Sequence, residues 1–120
     1  MKKLVEKFSA QLLDAVKVGD KASLKKSNRT YKNITISGLG GSGIGGKIVS
    51  QLVQDRISVP IVVTNDYKIP GYVDANSLVI VSSFSGNTEE TLSALDEAAE
   101  KGAEIACITS GGKLENIANL

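Results

Sequence analysis

Ile34-Thr35-Ile36-Ser37-Gly38-Leu39-Gly40-Gly41-Ser42-Gly43 and Leu78-Val79-Ile80-Val81-Ser82-Ser83-Phe84-Ser85-Gly86-Asn87-Thr88 are built alike. Each is a short apolar run, a turn of glycines and hydroxyls, and then the start of a segment with helical periodicity. A near-continuous apolar run fits a strand buried on both faces, because a half-exposed strand would alternate. Two strand–turn–helix units of this kind predict a parallel sheet covered by helices on both faces.

The neighbouring segments extend the pattern. Ile44, Ile48, Val49, Leu52 and Val53 form a helical stripe running to about Arg56, and Pro60 introduces a strand over Ile61-Val62-Val63-Thr64. Asn65 to Tyr72, with Pro70-Gly71, reads as a loop. After the second turn, Asn87 with Glu90 three residues later predicts a capping box. Leu92, Leu95 and Ala99 would face the core, and Gly102 suits the C′ position. A fourth strand is expected over Glu104–Thr109, then a helix opened by Gly111-Gly112 with Leu114 and Ile117 inward.

Ahead of this alternation, Leu4, Phe8, Leu12 and Val16 recur every four residues, one face of an amphipathic helix ended by Gly19-Asp20. Residues 1–32 therefore read as a helix and a polar connector, and residues 33–120 as an α/β domain. The expected architecture is a doubly wound, flavodoxin-like parallel sheet flanked by helices, strand order 2-1-3-4. A fifth strand is missing from that order, so the domain reads as truncated before its last strand.

Composition excludes several classes. The 120 residues are 42% apolar and 22% charged with a net charge of +1, which is ordinary for a globular chain. No strong field points to nucleic acid or a membrane surface. The five cations between Lys21 and Lys32 read as a solvated connector. No apolar stretch is long enough to span a membrane, and Glu6 and Asp14 interrupt any signal-peptide core. The single Cys107, in an apolar run, reads as a buried small residue in a reducing compartment. A cytoplasmic location follows as the expectation.

The chemistry lies in the two turns. Ligands of open parallel sheets bind beyond the carboxyl ends of the strands where strand order reverses. With order 2-1-3 that crevice falls between the first and third strands, the two that carry the serine turns. A helix N-terminus presents unpaired N–H groups and about half a positive charge to an anion. The hydroxyls of Ser42, Ser83, Ser85 and Thr88 can donate to phosphate oxygens, at roughly 1.5–3 kcal/mol for each bond to a charged partner. Glycines such as Gly41 admit a close backbone approach. The default ligand is a phosphorylated small molecule, held without a metal or a cofactor.

Other readings of these residues fit less well. Gly38, Gly40 and Gly43 match G-x-G-x-x-G of dinucleotide folds, but Asp66 is poorly placed as the ribose-binding acid and the Ser83–Thr88 cluster goes unexplained. Gly41 to Lys47 nearly spells a P-loop, yet Ile48 stands where a magnesium-binding hydroxyl belongs. Tight βα connections with helix caps would explain either turn alone but not the two together. Glu89 and Glu90 complement a helix dipole and would oppose a phosphate if they faced it. Lys47, one turn into its helix, is expected in solvent.

Gly38-Leu39-Gly40-Gly41-Ser42-Gly43-Ile44-Gly45-Gly46 together with Ser82-Ser83-Phe84-Ser85-Gly86-Asn87-Thr88-Glu89-Glu90-Thr91 resembles a sugar isomerase (SIS) domain. Within that family it is most similar to the first domain of the bifunctional phosphoglucose/phosphomannose isomerases. The resemblance implies that Gly41, Ser42, Ser83, Ser85 and Thr88 hold the phosphate of a phosphorylated hexose. It also implies a homodimer, or pairing with a second SIS domain, that interconverts aldose and ketose phosphates without a metal. The family's proton-transferring Glu, ring-opening His and catalytic Lys come from the second domain, so no catalytic residue is expected in this chain, which has no histidine at all. A non-catalytic SIS-type sugar-phosphate sensor or regulatory domain is the alternative.

Overall fold

A computed structural model describes residues 2–119. In chain order the elements are α1 (Lys2–Glu6), α2 (Phe8–Lys21), β1 (Asn33–Gly38), α3 (Gly41–Val53), β2 (Ile61–Thr64), β3 (Ser77–Ser83), α4 (Glu89–Glu100), β4 (Glu104–Thr109) and α5 (Gly112–Ala118). The strands form one parallel sheet in the order β2-β1-β3-β4. The expected α/β class and strand order are both present. β1 and β3 extend further than the apolar runs alone indicate, because Asn33, Ser77 and Ser83 continue the pairing.

The two faces of the sheet are unequal. On one, Val79 and Val81 of β3 pack with Ala94, Leu95 and Ala98 of α4, Leu114 of α5, and Ile69 and Val73 from the β2–β3 loop. Val79, Val81, Ala94, Ala98 and Leu114 are wholly inaccessible. Each fully buried Val or Leu contributes about 1.5–3 kcal/mol relative to exposure. Ile69 is tied down further, its N–H donating to Glu97 Oε2 at 3.2 Å. Cys107 is half-buried against this cluster, and burial pushes its thiol pKa up.

On the other face α3 lies over β1 and β2, and it makes contact through glycine. Its buried residues are Gly43 and Gly46. A Cβ on Gly46 would sit 2.9 Å from Ile36 Cγ2. The backbone of α3 therefore rests on the sheet, and most of its apolar stripe points out: Ile44, Ile48, Val49 and Leu52 are all exposed. Coverage stops short of β4, where Ile108 is 62% exposed. Helices thus flank both faces as expected, and the cover on this one is partial.

Smaller corrections concern helix ends. α4 begins one residue later than a cap at Asn87 requires, with Thr88 as its N-cap and no side-chain capping bond, so the Asn87–Glu90 box does not form. Its inner face is Thr91, Ala94, Leu95 and Ala98, while Ala99 is exposed. Gly102 follows the C-cap at φ +73°, as its predicted place demands. Ile117 is 40% exposed, not inward. The N-terminal helix is divided at Lys7 and runs through Gly19-Asp20 to Lys21, with no buried residue in either part.

The connector after α2 is pinned. Ser27 Oγ and Tyr31 Oη each donate to Glu104 Oε2 at 2.7 Å, and Arg29 Nε lies 3.6 Å from the same oxygen. These bonds, Ser27 first, hold the Glu104 carboxyl below the usual carboxylate range. A connector read as merely solvated thus straps the base of β4. No helix of the described residues is long and apolar enough to cross a membrane.

Candidate functional site

β1 and β3 are direct neighbours, with Gly38 in register with Ser82 at their carboxyl ends. The two turns therefore leave the sheet side by side. Between them lies a cavity of about 320 Å³, walled by Gly41 and Ser42 of the first turn and Ser82, Ser83, Ser85 and Thr88 of the second. The exposed Leu39 and Phe84 complete it. All five residues expected at the site, Gly41, Ser42, Ser83, Ser85 and Thr88, border this one space.

Each turn is shaped by its glycines. Gly40, the N-cap of α3, has φ +56°, and the chain reverses there so that Gly41 and Ser42 start the helix at the cavity. Gly86 has φ +71°, and a Cβ there would lie 1.8 Å from the Gly111 carbonyl oxygen. No other residue fits that approach.

The hydroxyls are not equivalent. Ser83 is only 4% exposed; its oxygen accepts from Gly86 N–H at 3.1 Å and lies 3.0 Å from Thr88 Oγ1. Ser85 Oγ accepts from Asn87 N–H at 3.2 Å, which leaves its own proton to donate. Thr88, although the N-cap residue, does not cap its helix and shares its hydroxyl with Ser83 instead. Ser83 thus braces the turn from within, whereas Ser85 and Thr88 stand nearer the opening.

Among the described residues no charged side chain borders the cavity. Glu89 accepts from Tyr67 Oη at 3.4 Å, and with Glu90 it raises the Tyr67 pKa, Glu90 having the larger effect. Lys47 borders a separate cavity of about 280 Å³ with Gly38, Gly40, Gly43, Val63 and Asn65. Among the described residues no group of three potential metal ligands exists. The arrangement suits a small anion held by neutral donors.

The bracing of the second turn from behind was not legible in the motif. Ser110, in the β4–α5 loop, donates to the Phe84 carbonyl through both its N–H and its hydroxyl. Leu114 N–H donates to Gly86 O at 2.9 Å, and Lys113 N–H to Asn87 Oδ1 at 3.0 Å. The Gly111-Gly112 pair was the only local signal, since two adjacent glycines mark a close approach of backbones.

Residues 29–118 match the SIS domain family model. The bifunctional phosphoglucose/phosphomannose isomerase of Caldicellulosiruptor bescii is 46% identical over 108 residues, which is 90% of this chain and 32% of that protein. The enzyme of the same name from Thermoplasma acidophilum is 51% identical over 88 residues, 73% of this chain and 27% of its own length. A Bacillus subtilis structure named as a phosphosugar isomerase superposes with TM-score 0.63 at 29% identity, over 72% of this chain and 28% of that one. The chain spans about a third of the length of these relatives. It belongs to the SIS domain family.

Proposed function

We propose that this SIS domain holds the phosphate of a hexose phosphate in the cavity between its two serine turns. We further propose that it serves as the N-terminal, phosphate-holding part of an isomerase interconverting glucose 6-phosphate or mannose 6-phosphate with fructose 6-phosphate. The observation that carries this reading is the convergence of Gly41, Ser42, Ser83, Ser85 and Thr88 on one uncharged, donor-rich cavity at the strand-order reversal. The names of the relatives supply the substrate class.

Aldose–ketose isomerisation moves a proton between adjacent sugar carbons through an enediolate. It needs a base poised near neutral pH and a group to open the ring. The chain has no histidine, and among the described residues no carboxylate side chain borders the cavity. Its contribution is therefore to anchor the phosphate and so fix the sugar's position, with proton transfer supplied by residues outside residues 1–120. Pairing with a second SIS unit or a second copy fits the exposed Ile44, Ile48, Val49 and Leu52 of α3 and the bare Ile108. A cytoplasmic location fits the lone cysteine and the metabolic substrate.

Calorimetric titration with fructose 6-phosphate at low and high salt tests the anchor. Binding with a shallow salt dependence is expected, because no Lys or Arg among the described residues forms the cavity wall; no binding, or a steep loss with salt, overturns it. An isomerase assay on the same chain tests the division of labour, and turnover by the 120-residue chain alone would refute it. The same lack of an acid–base group also favours a second reading, a sugar-phosphate sensor. An added SIS unit that restores isomerase activity would separate the two.

A further inference from the structure

We propose that Asn87 is a positioning residue for the phosphate turn, acting through Ser85 by locking the turn to the start of α5; this rests on the cavity being the phosphate site. Asn87 is exposed and does not border the cavity. Its two polar contacts run in opposite directions. The side-chain Oδ1 accepts from Lys113 N–H at 3.0 Å, and the backbone N–H donates to Ser85 Oγ at 3.2 Å. Both contacts belong to one residue, so the Ser85 hydroxyl is tied through it to the seat of α5.

That seat is firm. Leu114, next to Lys113, is wholly inaccessible in the core, and its N–H donates to Gly86 O at 2.9 Å. Two N–H groups of the first turn of α5, which a helix cannot satisfy internally, are therefore consumed by consecutive residues of the phosphate turn. Asn87 supplies the only side chain in this pair of bonds. With the Ser85 oxygen occupied as an acceptor, its proton is left to donate toward the cavity. Without the lock, the turn between Ser83 and Thr88 keeps its internal Ser83 bonds and the backbone ties at Phe84 and Gly86, but loses the side-chain restraint nearest Ser85.

The test uses inorganic phosphate as the probe and four variants of the full chain. Asn87→Ala removes the acceptor, and Lys113→Pro removes the donated N–H at a first-turn position that tolerates proline. Each is expected to weaken phosphate binding about tenfold, the scale of one hydrogen bond lost from an anion site. The double variant is expected to bind no more weakly than either single one, since both break the same bond. Lys113→Ala keeps the N–H and is expected to bind as the unaltered chain does. Urea unfolding midpoints, measured in parallel, separate binding from stability. An Asn87→Ala chain that unfolds earlier yet binds phosphate within about twofold of the unaltered chain, or fully additive losses in the double variant, would overturn the proposal. Should Asn87→Ala fail to fold, the contrast between Lys113→Pro and Lys113→Ala decides it. Failure of the unaltered chain to bind phosphate would instead overturn the reading of the cavity.

Discussion

The hydroxyl oxygens of Ser83 and Thr88 lie 3.0 Å apart, and Ser83 also accepts from the Gly86 N–H. An anion in the cavity selects the ordering in which Ser83 donates to Thr88 and Thr88 donates outward, because the less buried hydroxyl is then the one presenting a proton. Thr88→Val, which keeps the shape, is expected to weaken phosphate binding by about tenfold or more. Ser83→Ala is expected to do so as well, by leaving Thr88 unoriented. Their combined loss in calorimetric titration should fall short of the sum, since the two act as one unit.

Gly86→Ala is expected to destabilise the fold by about 3 kcal/mol or more, since strain at φ +71° adds to a clash with the Gly111 oxygen. Urea unfolding followed by circular dichroism measures this. A near-neutral change would mean that the Gly86–Gly111 approach is not fixed.

Gly45 and Gly46 are adjacent in α3 but should respond with opposite signs. A Cβ on Gly45 meets nothing within 4 Å, so Gly45→Ala is expected to stabilise by about 0.5–1 kcal/mol through helix propensity. Gly46→Ala meets Ile36 Cγ2 at 2.9 Å, and overpacking of about 1–3 kcal/mol outweighs that gain. Paired urea melts would show the two midpoints moving apart; equal shifts would contradict the close seating of α3.

The strap at the base of β4 predicts a pH dependence. The Glu104 carboxyl is held below its ordinary value by Ser27, Tyr31 and Arg29. Its contribution is therefore complete above the unfolded carboxylate pKa of about 4.3 and is lost as pH falls through the lower folded value. Tyr31→Phe should leave Glu104 titrating nearer its ordinary value and narrow the stability difference between neutral and acid solution. Carbon-detected NMR titration of Glu104 checks this directly.

Sequence reading reached the strand order and the convergence of the serine turns because both rest on local grammar: apolar run, turn chemistry, helical period. It stopped short at α3, where Ile44, Ile48 and Leu52 mark a helical stripe but two glycines make the contact. Periodicity reports which side chains share a face, not whether small residues on the opposite face allow a closer approach. Ile69 and Val73 lay in a segment with no period to mark them as core. The spacing of Asn87 to Glu90 predicts a cap on α4, but its acceptor serves α5, a partner 26 positions away. Glu104 likewise took its partners from a connector whose lysines drew attention away from Ser27 and Tyr31. Such pairings are tertiary, and spacing along the chain does not encode them.

The register that sets Gly38 beside Ser82 has a thermodynamic corollary. Parallel strands so distant along the chain repay their loop-closure entropy late in folding, and an occupant of the cleft they form is released whenever they separate. By linkage, each tenfold rise in such a solute above its dissociation constant should add about 1.4 kcal/mol to native stability. The melting temperature of this domain would then double as a gauge of how much of such a solute surrounds it.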